Sequence, residues 1–480
     1  MTSYAQTLKM ADRFGSKLVG YKGTNVYDKL ASLPVSVFEY GAVGDGVTDD
    51  TAAIQLAVNY VQSTVNIASG SNAPANGPQE LLFPPGLYLV TDAIQITQSI
   101  SLRGDGHSEY STGARIQQQT PAKDIFQVNP IAQGCSVSFT DLVLRANGGG
   151  GTSGALINIT KAAGQCSSIR ISRCTFGTPQ SWTIKIQQAD DVLIDNCLFD
   201  VSATNCISLG TATAANLVTN TRIIGCYFFS INGKCIAPYN VDGLIISNCT
   251  VYSATNTAFF IDGVNTLPYQ IRNVTIHGNT FKNVFCIAYV SAVNEFVVSN
   301  NVGYAIGGAV SSTQSLLQFT GTCSGAVVTN NRFSGNLGTF NFYDDSAATI
   351  TSSTVSSNSF TATGGAGAAM RSSNTRGCIG HNSITGFTQN CMGHSWVTSS
   401  SAISPGVIGA NSNVIMTQAV TGAIQSDGVR FGTAGSTWVA PDGIIVAAYT
   451  TTNQLNVKYS NITAGAIGVP PHDISVLVTR

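Results

Sequence analysis

A short strand-like phrase recurs through the middle of this 480-residue chain and constrains its fold more than any other feature. Each copy alternates apolar and polar residues and ends beside one cysteine or asparagine, as in IRISRCTF and VTIHGNTF. The residues at that position are Cys174, Cys197, Cys226, Cys249, Asn279, Asn301, Asn331, Asn358, Asn382 and Asn411. They follow one another at steps of 23, 29, 23, 30, 22, 30, 27, 24 and 29 residues. Repeats of this length are typical of solenoids, in which each unit stacks on the last.

A second strand pattern in each repeat indicates which kind of solenoid this is. About ten residues after each phrase comes another short apolar run, such as CISL, CIAY or FNFY. Signals for helices are almost absent from this region. We therefore predict an all-β chain that winds into a parallel β-helix, with successive coils about 4.8 Å apart.

The cysteines fit the same interpretation. The chain has 12 of them and no CxxC pair. If the repeated cysteines and asparagines point inward, they form a ladder of buried thiols and of amides that hydrogen-bond from coil to coil. A metal site built from the four repeated cysteines is the rival hypothesis. Residues stacked one per coil lie in a line, however, whereas structural zinc needs a tetrahedron.

Composition excludes several classes of partner. Only 10% of the residues are charged, against roughly 25% in ordinary globular proteins, and the net charge is −1. General attraction to nucleic acid or to anionic membranes is therefore not expected. The N-terminus MTSYAQTLKMADRF lacks the apolar core of a signal peptide, and no apolar run reaches membrane-spanning length. We expect synthesis in the cytosol, no membrane insertion and no nucleic-acid partner.

An acidic cluster opens the regular part of the chain. Asp45, Asp49 and Asp50 lie in VFEYGAVGDGVTDDTAAIQLAVNYVQ, which spans Val37–Gln62. Apolar residues follow at helical spacing, namely Ala53, Ile54, Ala57, Val58 and Val61. Asp49 or Asp50 is suited to cap a helix that runs to about residue 62. A calcium loop is disfavoured, because the D-x-D-x-D-G spacing and the distal glutamate are both missing.

The same stretch resembles the N-terminal signature of the pectin-lyase-like right-handed β-helix proteins. LLFPPGLYLV (Leu81–Val90) and ISLRGDG (Ile100–Gly106) resemble the next two landmarks of that family, in the same order. Just upstream, GSKLVGYKGTNVYDKLASLPVSVFEYGA (Gly15–Ala42) resembles the connector that precedes the β-helix in bacteriophage tailspikes. The resemblance implies a right-handed parallel β-helix with an N-terminal capping helix.

The resemblance and the repeat together divide the chain into three parts. We predict an N-terminal arm or connector over residues 1–36, the β-helix over 37–418 and a small C-terminal β-domain over 419–480. By resemblance, the protein is expected to be a homotrimer in the phage tail, attached to other tail components through the arm. It would bind a bacterial O-antigen or capsular polysaccharide at the host cell surface.

Acidic residues in the turn after the second strand are the candidates for catalysis. Asp242, Asp262 and Glu295 come from three consecutive coils. Stacking places neighbouring turns about 5 Å apart and alternate turns about 10 Å apart. These separations bracket those of the carboxylate pairs in retaining and inverting glycosidases. The alternative for each acid is a structural turn residue, since aspartate is common in turns.

Aromatic residues of the same coils are candidates for sugar binding: Tyr239, Phe260, Tyr269 and Tyr289. The favoured activity is that of an endoglycosidase, in which one acid protonates the leaving oxygen and another activates water or attacks. A polysaccharide lyase stays open, with Lys185, Arg222, Lys234 or Arg272 to neutralise a sugar carboxylate. A non-catalytic adhesin is the third possibility. No HExxH or GxSxG motif occurs, and we expect no metal and no other cofactor.

Overall fold

A computed structural model shows how the repeats stack. It describes residues 20–21, 24–25, 34–63, 65–66, 73–74, 80–106, 113–120, 122–147, 154–161, 164–178, 181–200, 205–211, 216–262, 271–306, 315–335, 343–350, 353–362, 370–371, 378–379, 382–385, 396–398, 406–408, 413–419, 428–432, 444–451, 454–464, 466–469 and 475–479. Most of these residues lie in strands, and the largest sheet contains 34 strands. The chain is a right-handed parallel β-helix, as predicted.

Three columns of parallel strands form the faces of the solenoid. Face A consists of Val35–Ser36, Glu80–Phe83, Ile100–Gly104, Cys135–Thr140, Cys166–Ser172, Val192–Asp195, Val218–Ile224, Val241–Ser247, Ile271–His277, Val293–Ser299, the second half of Leu317–Thr329, Ser353–Ser356 and Cys378–Ile379. Each strand pairs in parallel with the equivalent strand of the next coil.

Faces B and C follow in each coil. Face B consists of Asp45–Asp49, Gly86–Val90, Ala114–Gln118, Val143–Ala146, Thr175–Gly177, Leu198–Asp200, Tyr227–Phe229, the first halves of Thr250–Asp262 and Thr280–Ser291, Val302–Ile306, Arg332–Gly335, Ser359–Ala362 and Ser383–Thr385. Face C consists of Ile94–Ile96, Phe126–Val128, Ala155–Ile159, Trp182–Ile186, Asn205–Leu209, Ile236–Pro238, the second halves of Thr250–Asp262 and Thr280–Ser291, the first half of Leu317–Thr329, Tyr343–Ile350 and Met370–Arg371.

The interior is one continuous stack of side chains. Alternate residues of each strand are buried, and equivalent residues of successive coils lie on top of one another. Phe176, Phe199 and Phe228 show this, with ring centroids 5.0 and 4.7 Å apart in nearly parallel planes. Each such side chain contributes about 1.5–3 kcal/mol through burial. The core therefore grows with every coil and leaves the outer faces free for other tasks.

The repeated cysteines and asparagines form the predicted inward ladder. Cys174, Cys197, Cys226 and Cys249 are all at least 98% buried. In the asparagine half, the Asn301 Oδ1 accepts from the backbone N–H of Asn279 at 2.9 Å and from its Nδ2 at 3.0 Å. The Nδ2 of Asn301 donates in turn to the Ile276 carbonyl at 3.0 Å and to Asn331 Oδ1 at 2.9 Å. Every polar group of the ladder amide thus has a partner inside the core.

A left-handed residue precedes each ladder residue and explains the repeated phrase. Asn248, Gly278 and Asn300 have φ of 54°, 66° and 55°. Asparagine and glycine adopt this conformation at the least cost. The turn from face A to face B therefore favours asparagine or glycine before the ladder residue, which the sequence shows as NC, GC, GN or NN in most coils. Arg173 and Ser357 occupy the same position with φ of 50° and 58°.

One α-helix and one 3₁₀ helix close the N-terminal end. The α-helix α1 spans Thr51–Ser63 and buries the apolar stripe that the sequence predicts, except that Ala53 is only partly covered. The 3₁₀ helix spans Val37–Tyr40 and begins with a capping box between Ser36 and Glu39. Together they cover the first coil, which would otherwise expose its core and unpaired strand edges.

Asp50 holds the glycine turn in front of the helix. Its side chain is buried, and its two carboxylate oxygens accept from the backbone N–H groups of Val43 at 2.7 Å and Gly44 at 3.2 Å. Burial raises the pKa of Asp50, and these two hydrogen bonds oppose that shift. The carboxylate is therefore fully occupied by the local backbone.

Asp45 and Asp49 are equally occupied. The Asp45 Oδ1 accepts from the Thr48 backbone at 2.7 Å, and this bond is the largest cause of its lowered pKa. Asp49 accepts from the Thr51 N–H at 3.0 Å and from the Thr91 hydroxyl at 2.7 Å, at the start of α1. Slight burial opposes the effect of these bonds, which lower the pKa of Asp49. The structural interpretation of the acidic cluster is confirmed.

The C-terminal strands pair differently from the solenoid. Trp396–Thr398 and Gly428–Gly432 pair antiparallel with Ser475–Thr479. Gly406–Ile408 pairs antiparallel with Ile467–Val469, and Asn413–Ala419 and Ile444–Thr451 both pair antiparallel with Gln454–Asn461. Parallel pairing is last seen at Ser383–Thr385. Antiparallel pairing thus begins before residue 419. Asn411, the last residue of the predicted repeat, lies outside the described residues.

Two small antiparallel pairs lie outside the solenoid faces. Gly20–Tyr21 pairs with Thr24–Asn25 within the predicted arm, and Val65–Asn66 pairs with Ala73–Pro74 after α1. The solenoid itself begins at Val35, two residues before the predicted boundary. In the described part of the chain, no helix has the length and apolarity to cross a membrane.

Candidate functional site

The three predicted acids lie on consecutive coils at one corner of the solenoid, where the chain leaves face C and enters face A. We call this region the acid corner and define it by Asp242, Asp262 and Glu295. In the coil of Asp242 only two residues separate the strands of the two faces, and in the coil of Glu295 only Ala292 does. In the coil between them the connection comprises residues 263–270, which lie outside the described residues.

Asp242 lies at the start of a face A strand. It pairs in register with Arg272, and Arg272 pairs with Asn294 in the next coil. The Asp242 Oδ1 accepts from the Nδ2 of Asn273 at 2.8 Å. Asp242 is half-buried, and the other carboxylate oxygen has no hydrogen bond within the described residues. One oxygen is therefore fixed in position while the other stays available.

Glu295 occupies a backbone position that does not suit it. It follows Asn294 with φ of 59°. The residues at the equivalent position of the neighbouring coils are Asn220, Gly243, Asn273 and Gly325, all with positive φ as well. For a residue other than glycine or asparagine this conformation costs about 1 kcal/mol or more. Glu295 is exposed and forms no ion pair or hydrogen bond within the described part of the chain, so no contact there offsets the strain.

Asp262 lies on the other side of the corner. It is the last residue of its strand and pairs in register with Ser291 at the end of face C. Its side chain, like the whole of Tyr269, lies outside the described residues. The three acids therefore come from three consecutive coils, as predicted, and flank the connection from face C to face A, but on different sides of it. Asp262 ends a face C strand, whereas Asp242 and Glu295 begin face A strands.

The predicted aromatic residues stack beside the corner on face C. Phe260 and Tyr289 have ring centroids 5.0 Å apart and planes only 6° from parallel. The Nζ of Lys234 lies 3.3 Å from the centroid of Phe260, and the Thr320 hydroxyl donates to the Tyr289 hydroxyl at 3.1 Å. Both faces of the Phe260 ring are thus covered. A saccharide at this place would meet ring edges, hydroxyls and the lysine rather than an open ring face.

Tyr239 completes the wall of the corner. It follows the short strand Ile236–Pro238, and its N–H donates to the Leu209 carbonyl at 2.8 Å. Its side chain is half-buried. Two polar neighbours that sequence reasoning missed are Asn273 and Thr320. Asn273 carries a weak signal, because asparagine recurs at the left-handed position of this strand, but its contact with Asp242 is visible only once the coils are stacked.

Other acids of the solenoid are engaged elsewhere. Asp191 forms ion pairs with Arg170 and, at 3.3 Å, with Arg222 on face A. The hydrogen bond from Arg170 is the largest cause of the lowered pKa of Asp191. Asp344 is largely buried and accepts from the Ser315 hydroxyl at 3.2 Å. These carboxylates hold neighbouring coils together.

The corner has the groups needed for acid–base work on a sugar chain. By the coil spacing, Asp262 lies one coil, about 4.8 Å along the axis, from both Asp242 and Glu295, which are about 10 Å apart along it. Such separations suit carboxylates on opposite sides of a glycosidic bond. Arg272 adds an exposed cation beside Asp242. No cluster of metal-binding side chains occurs among the described residues.

The chain belongs to the Rhamnogalacturonase A/epimerase, pectate lyase-like family, whose model matches residues 34–307, more than half of its length. The matched part contains helix α1, most of the solenoid and all three acids of the corner. The family assignment confirms the pectin-lyase-like resemblance that the opening motifs carry.

Known proteins share the fold at low sequence identity. The DFA-IIIase of Arthrobacter chlorophenolicus A6, in complex with GF2 and without its lid, superimposes with a TM-score of 0.56 at 16% identity over 73% of this chain and 98% of that one. PfbA, a surface adhesin of Streptococcus pneumoniae, gives 0.50 at 16% identity over 75% and 93%. A glucan 1,3-beta-glucosidase of Cochliobolus carbonum is 29% identical over 143 residues, 29% of this chain and 16% of that protein. The chain spans only 4 to 16% of the length of the curated relatives it matches.

Proposed function

We propose that this protein is a bacteriophage tailspike that binds a bacterial surface polysaccharide, O-antigen or capsule, and cleaves it as an endoglycosidase at the acid corner. The observation that carries the catalytic part is Glu295, a charged and exposed residue in a strained, left-handed position. It lies one coil from Asp262 and two coils from Asp242. Strained residues that no structural contact explains are concentrated at functional sites. The likeness to DFA-IIIase and the local similarity to a glucosidase support action on glycosidic bonds.

In the proposed reaction two carboxyl groups divide the work. One protonates the oxygen of the leaving sugar, and the other activates a water or attacks the anomeric carbon. Asp242 is the candidate that a neighbouring group orients, because Asn273 donates a hydrogen bond to its carboxylate. Glu295, exposed and in a strained backbone position, is the other described candidate for these roles. Asp262 lies one coil from each and shares in one of these roles.

A lyase is the second candidate, and a specific observation favours it. Arg272 pairs in register with Asp242, and Lys234 lies over the ring of Phe260, two residues before Asp262. A lyase needs such a cation to neutralise the carboxylate of an acidic sugar. Incubation with O-antigen and capsule preparations distinguishes the activities. New reducing ends without ultraviolet absorbance indicate hydrolysis; new reducing ends with the absorbance of an unsaturated uronate indicate elimination. Binding without either product would leave an adhesin, the activity named for PfbA.

The tailspike assignment also includes assembly as a homotrimer. The antiparallel C-terminal strands are the part of the chain that would aid trimerisation, and the residues before Val35 would link to other tail components. Light scattering at micromolar concentration should give three times the mass of 49.9 kDa. A monomer would contradict the tailspike assignment and leave the β-helix and the acid corner untouched.

A further inference from the structure

A second surface of the solenoid has the chemistry of a binding site. On face B, the outward residues Phe229, Tyr252, Lys282 and Tyr304 lie in register on four consecutive coils. Tyr227 lies beside Phe229 on the same strand, with ring centroids 6.2 Å apart. We call these five residues the aromatic strip. It is on a different face from the acid corner, and three of its aromatic residues are substantially exposed, up to 45% for Tyr304.

The rings of the strip stack along the axis of the solenoid. Phe229 and Tyr252 have centroids 5.4 Å apart and planes 20° from parallel. The Nζ of Lys282 lies 4.9 Å from the Tyr252 ring and 5.4 Å from the Tyr304 ring, so it is held between two aromatic faces. The faces of these rings are therefore turned toward each other, and what points to solvent is ring edges and tyrosine hydroxyls. Aromatic edges carry the positive part of the ring quadrupole.

The charged side chains on the strip and on the coil that follows it, Lys282 and Arg332, are both cationic. Lys282 forms no ion pair within the described residues. Arg332 is exposed and lies on the coil that follows the coil of Tyr304, where it pairs in register with Val302. Asp200 is the one acid in register with the strip, one coil below Phe229. Ring edges, an ammonium group and a guanidinium group together attract negatively charged oxygens.

The dimensions of the strip decide what kind of molecule it fits. Two residues along a strand span about 7 Å, and four coil steps from Phe229 to Arg332 span about 19 Å, on the order of 150 Å². A stable protein interface needs about 800 Å² from each partner and has few charged residues at its centre. A second copy of this chain is therefore a poor occupant. Single-stranded nucleic acid needs open ring faces on which to stack its bases, and the ring faces inside the stack from Phe229 to Tyr304 are covered.

We propose that the aromatic strip is a non-catalytic binding site for an anionic polysaccharide, separate from the acid corner. Carboxylate-bearing sugars would lie along the coils, with their acidic groups near Lys282 and Arg332 and their hydroxyls bonded to Tyr252 and Tyr304. Such a site would hold a long polymer on the solenoid while another part of it lies at the acid corner. The proposal goes beyond the enzymatic activity and does not depend on cleavage.

Affinity electrophoresis in gels that contain polygalacturonate tests the strip. All proteins carry Glu295→Gln so that the probe stays intact, and gels with neutral dextran provide the reference. We expect the protein to be retarded by polygalacturonate only, and Lys282→Met or Tyr304→Ala to weaken binding about tenfold. Raising the salt concentration should weaken binding by the parent protein and have less effect on Lys282→Met. Lys123→Met is the matched control, because Lys123 is exposed near Asp92 at the N-terminal end and should bind as the parent does.

Each outcome decides the matter. Unchanged affinity in both folded variants, or equal retardation by dextran, would overturn the proposal. A change of sedimentation in Tyr304→Ala would assign the strip to contact between copies instead, and retardation by a single-stranded oligonucleotide would assign it to nucleic acid. If the strip binds while the Glu295-containing protein yields no new reducing ends, the endoglycosidase proposal fails and this one stands.

Discussion

The molecule contains two groups of clustered acids, and they differ in what their oxygens do. At the N-terminal end, Asp45, Asp49 and Asp50 all accept hydrogen bonds from nearby backbone, and Asp50 is buried. At the acid corner, Asp242 has one fixed oxygen, and Glu295 has no partner within the described residues. The N-terminal acids therefore stabilise the fold, whereas Glu295 at the acid corner destabilises it through backbone strain.

The difference shows why clustering by itself does not identify a catalytic site. The N-terminal acids are closer together in sequence and easier to notice, yet backbone N–H groups satisfy them, which is what structural carboxylates require. The corner acids are up to 53 residues apart, from Asp242 to Glu295, and come together only because the coils stack. Two features distinguish the corner acids from the N-terminal acids: carboxylate oxygens without a hydrogen bond within the described residues, and backbone strain at Glu295.

The largest expected effect is on turnover at the acid corner. Replacing Asp242, Asp262 or Glu295 by the matching amide keeps the shape of the side chain and removes its charge and proton. A general acid or base typically contributes about 10²–10⁴ to the rate. We expect at least two of the three amides to slow depolymerisation at least a hundredfold, with the melting temperature and oligomeric state unchanged. Reducing-end assays on purified proteins measure the effect.

Asp49→Asn serves as the control from the other acidic group and should cleave at a near-normal rate. The assignment of catalysis to the acid corner would be wrong if all three corner amides stay active while Asp49→Asn or Asp50→Asn abolishes turnover in a folded protein. The catalytic site would then lie at the N-terminal turn.

The next effect is on stability and concerns the ladder. Asn301→Leu removes an amide that accepts two hydrogen bonds from Asn279 and donates two others, all inside the core. Each buried group left unpaired costs about 1–3 kcal/mol, so we expect a loss of about 3 kcal/mol or more in the free energy of unfolding. Urea denaturation measures it, with Cys226→Ala as the control in the same ladder.

Cys226→Ala should cost less, about 1 kcal/mol, because it removes a small apolar group and only weak S–H hydrogen bonds to the Ile194 and Ile224 carbonyls, both at 3.6 Å. Equal losses in the two variants would mean that the ladder asparagines contribute only volume. Native protein should also react slowly with thiol reagents, since ten cysteines in the described residues are buried and burial raises the pKa of Cys286 to about 12.

The fold was predictable from sequence for a reason that does not extend to the site. Every coil repeats one local pattern of turn, ladder residue and alternating strand, so about ten copies support the same prediction and an error in one copy does not change it. A functional site occurs only once in the chain and has no such repetition. The sequence indicated the coils of Asp242, Asp262 and Glu295 and the connection that they flank. It did not indicate on which side of that connection each acid lies, because the point where a strand ends depends on pairing with the next coil. The hydrogen bond from Asn273 and the covered faces of Phe260 also arise between coils, and no single segment encodes them.

A smaller effect is expected from the helix cap. Asp49→Asn weakens the bonds to Thr51 and Thr91 and should cost about 1 kcal/mol at neutral pH, a typical value for an N-terminal capping contact. Because the pKa of Asp49 is lowered in the folded protein, its contribution is present above the ordinary aspartate value of 3.8 and is lost as the pH falls through the lowered value. Thermal melts from pH 7 to pH 3 should show the deficit of the variant shrinking. A deficit that grows with acid would contradict the assignment.

The smallest effect has the opposite sign and tests the strain at Glu295 directly. Asparagine tolerates the left-handed conformation that this position imposes, and two neighbouring coils have it there, at Asn220 and Asn273. Glu295→Asn should therefore raise the free energy of unfolding by about 0.5–1 kcal/mol while abolishing cleavage. Glu295→Gln is the matched control: it removes the same charge but keeps a long side chain in the strained conformation, so it should be inactive without the gain in stability. If the two variants unfold at the same urea concentration, the backbone at Glu295 stores no energy, and the contrast between the two acidic groups rests on hydrogen bonding alone.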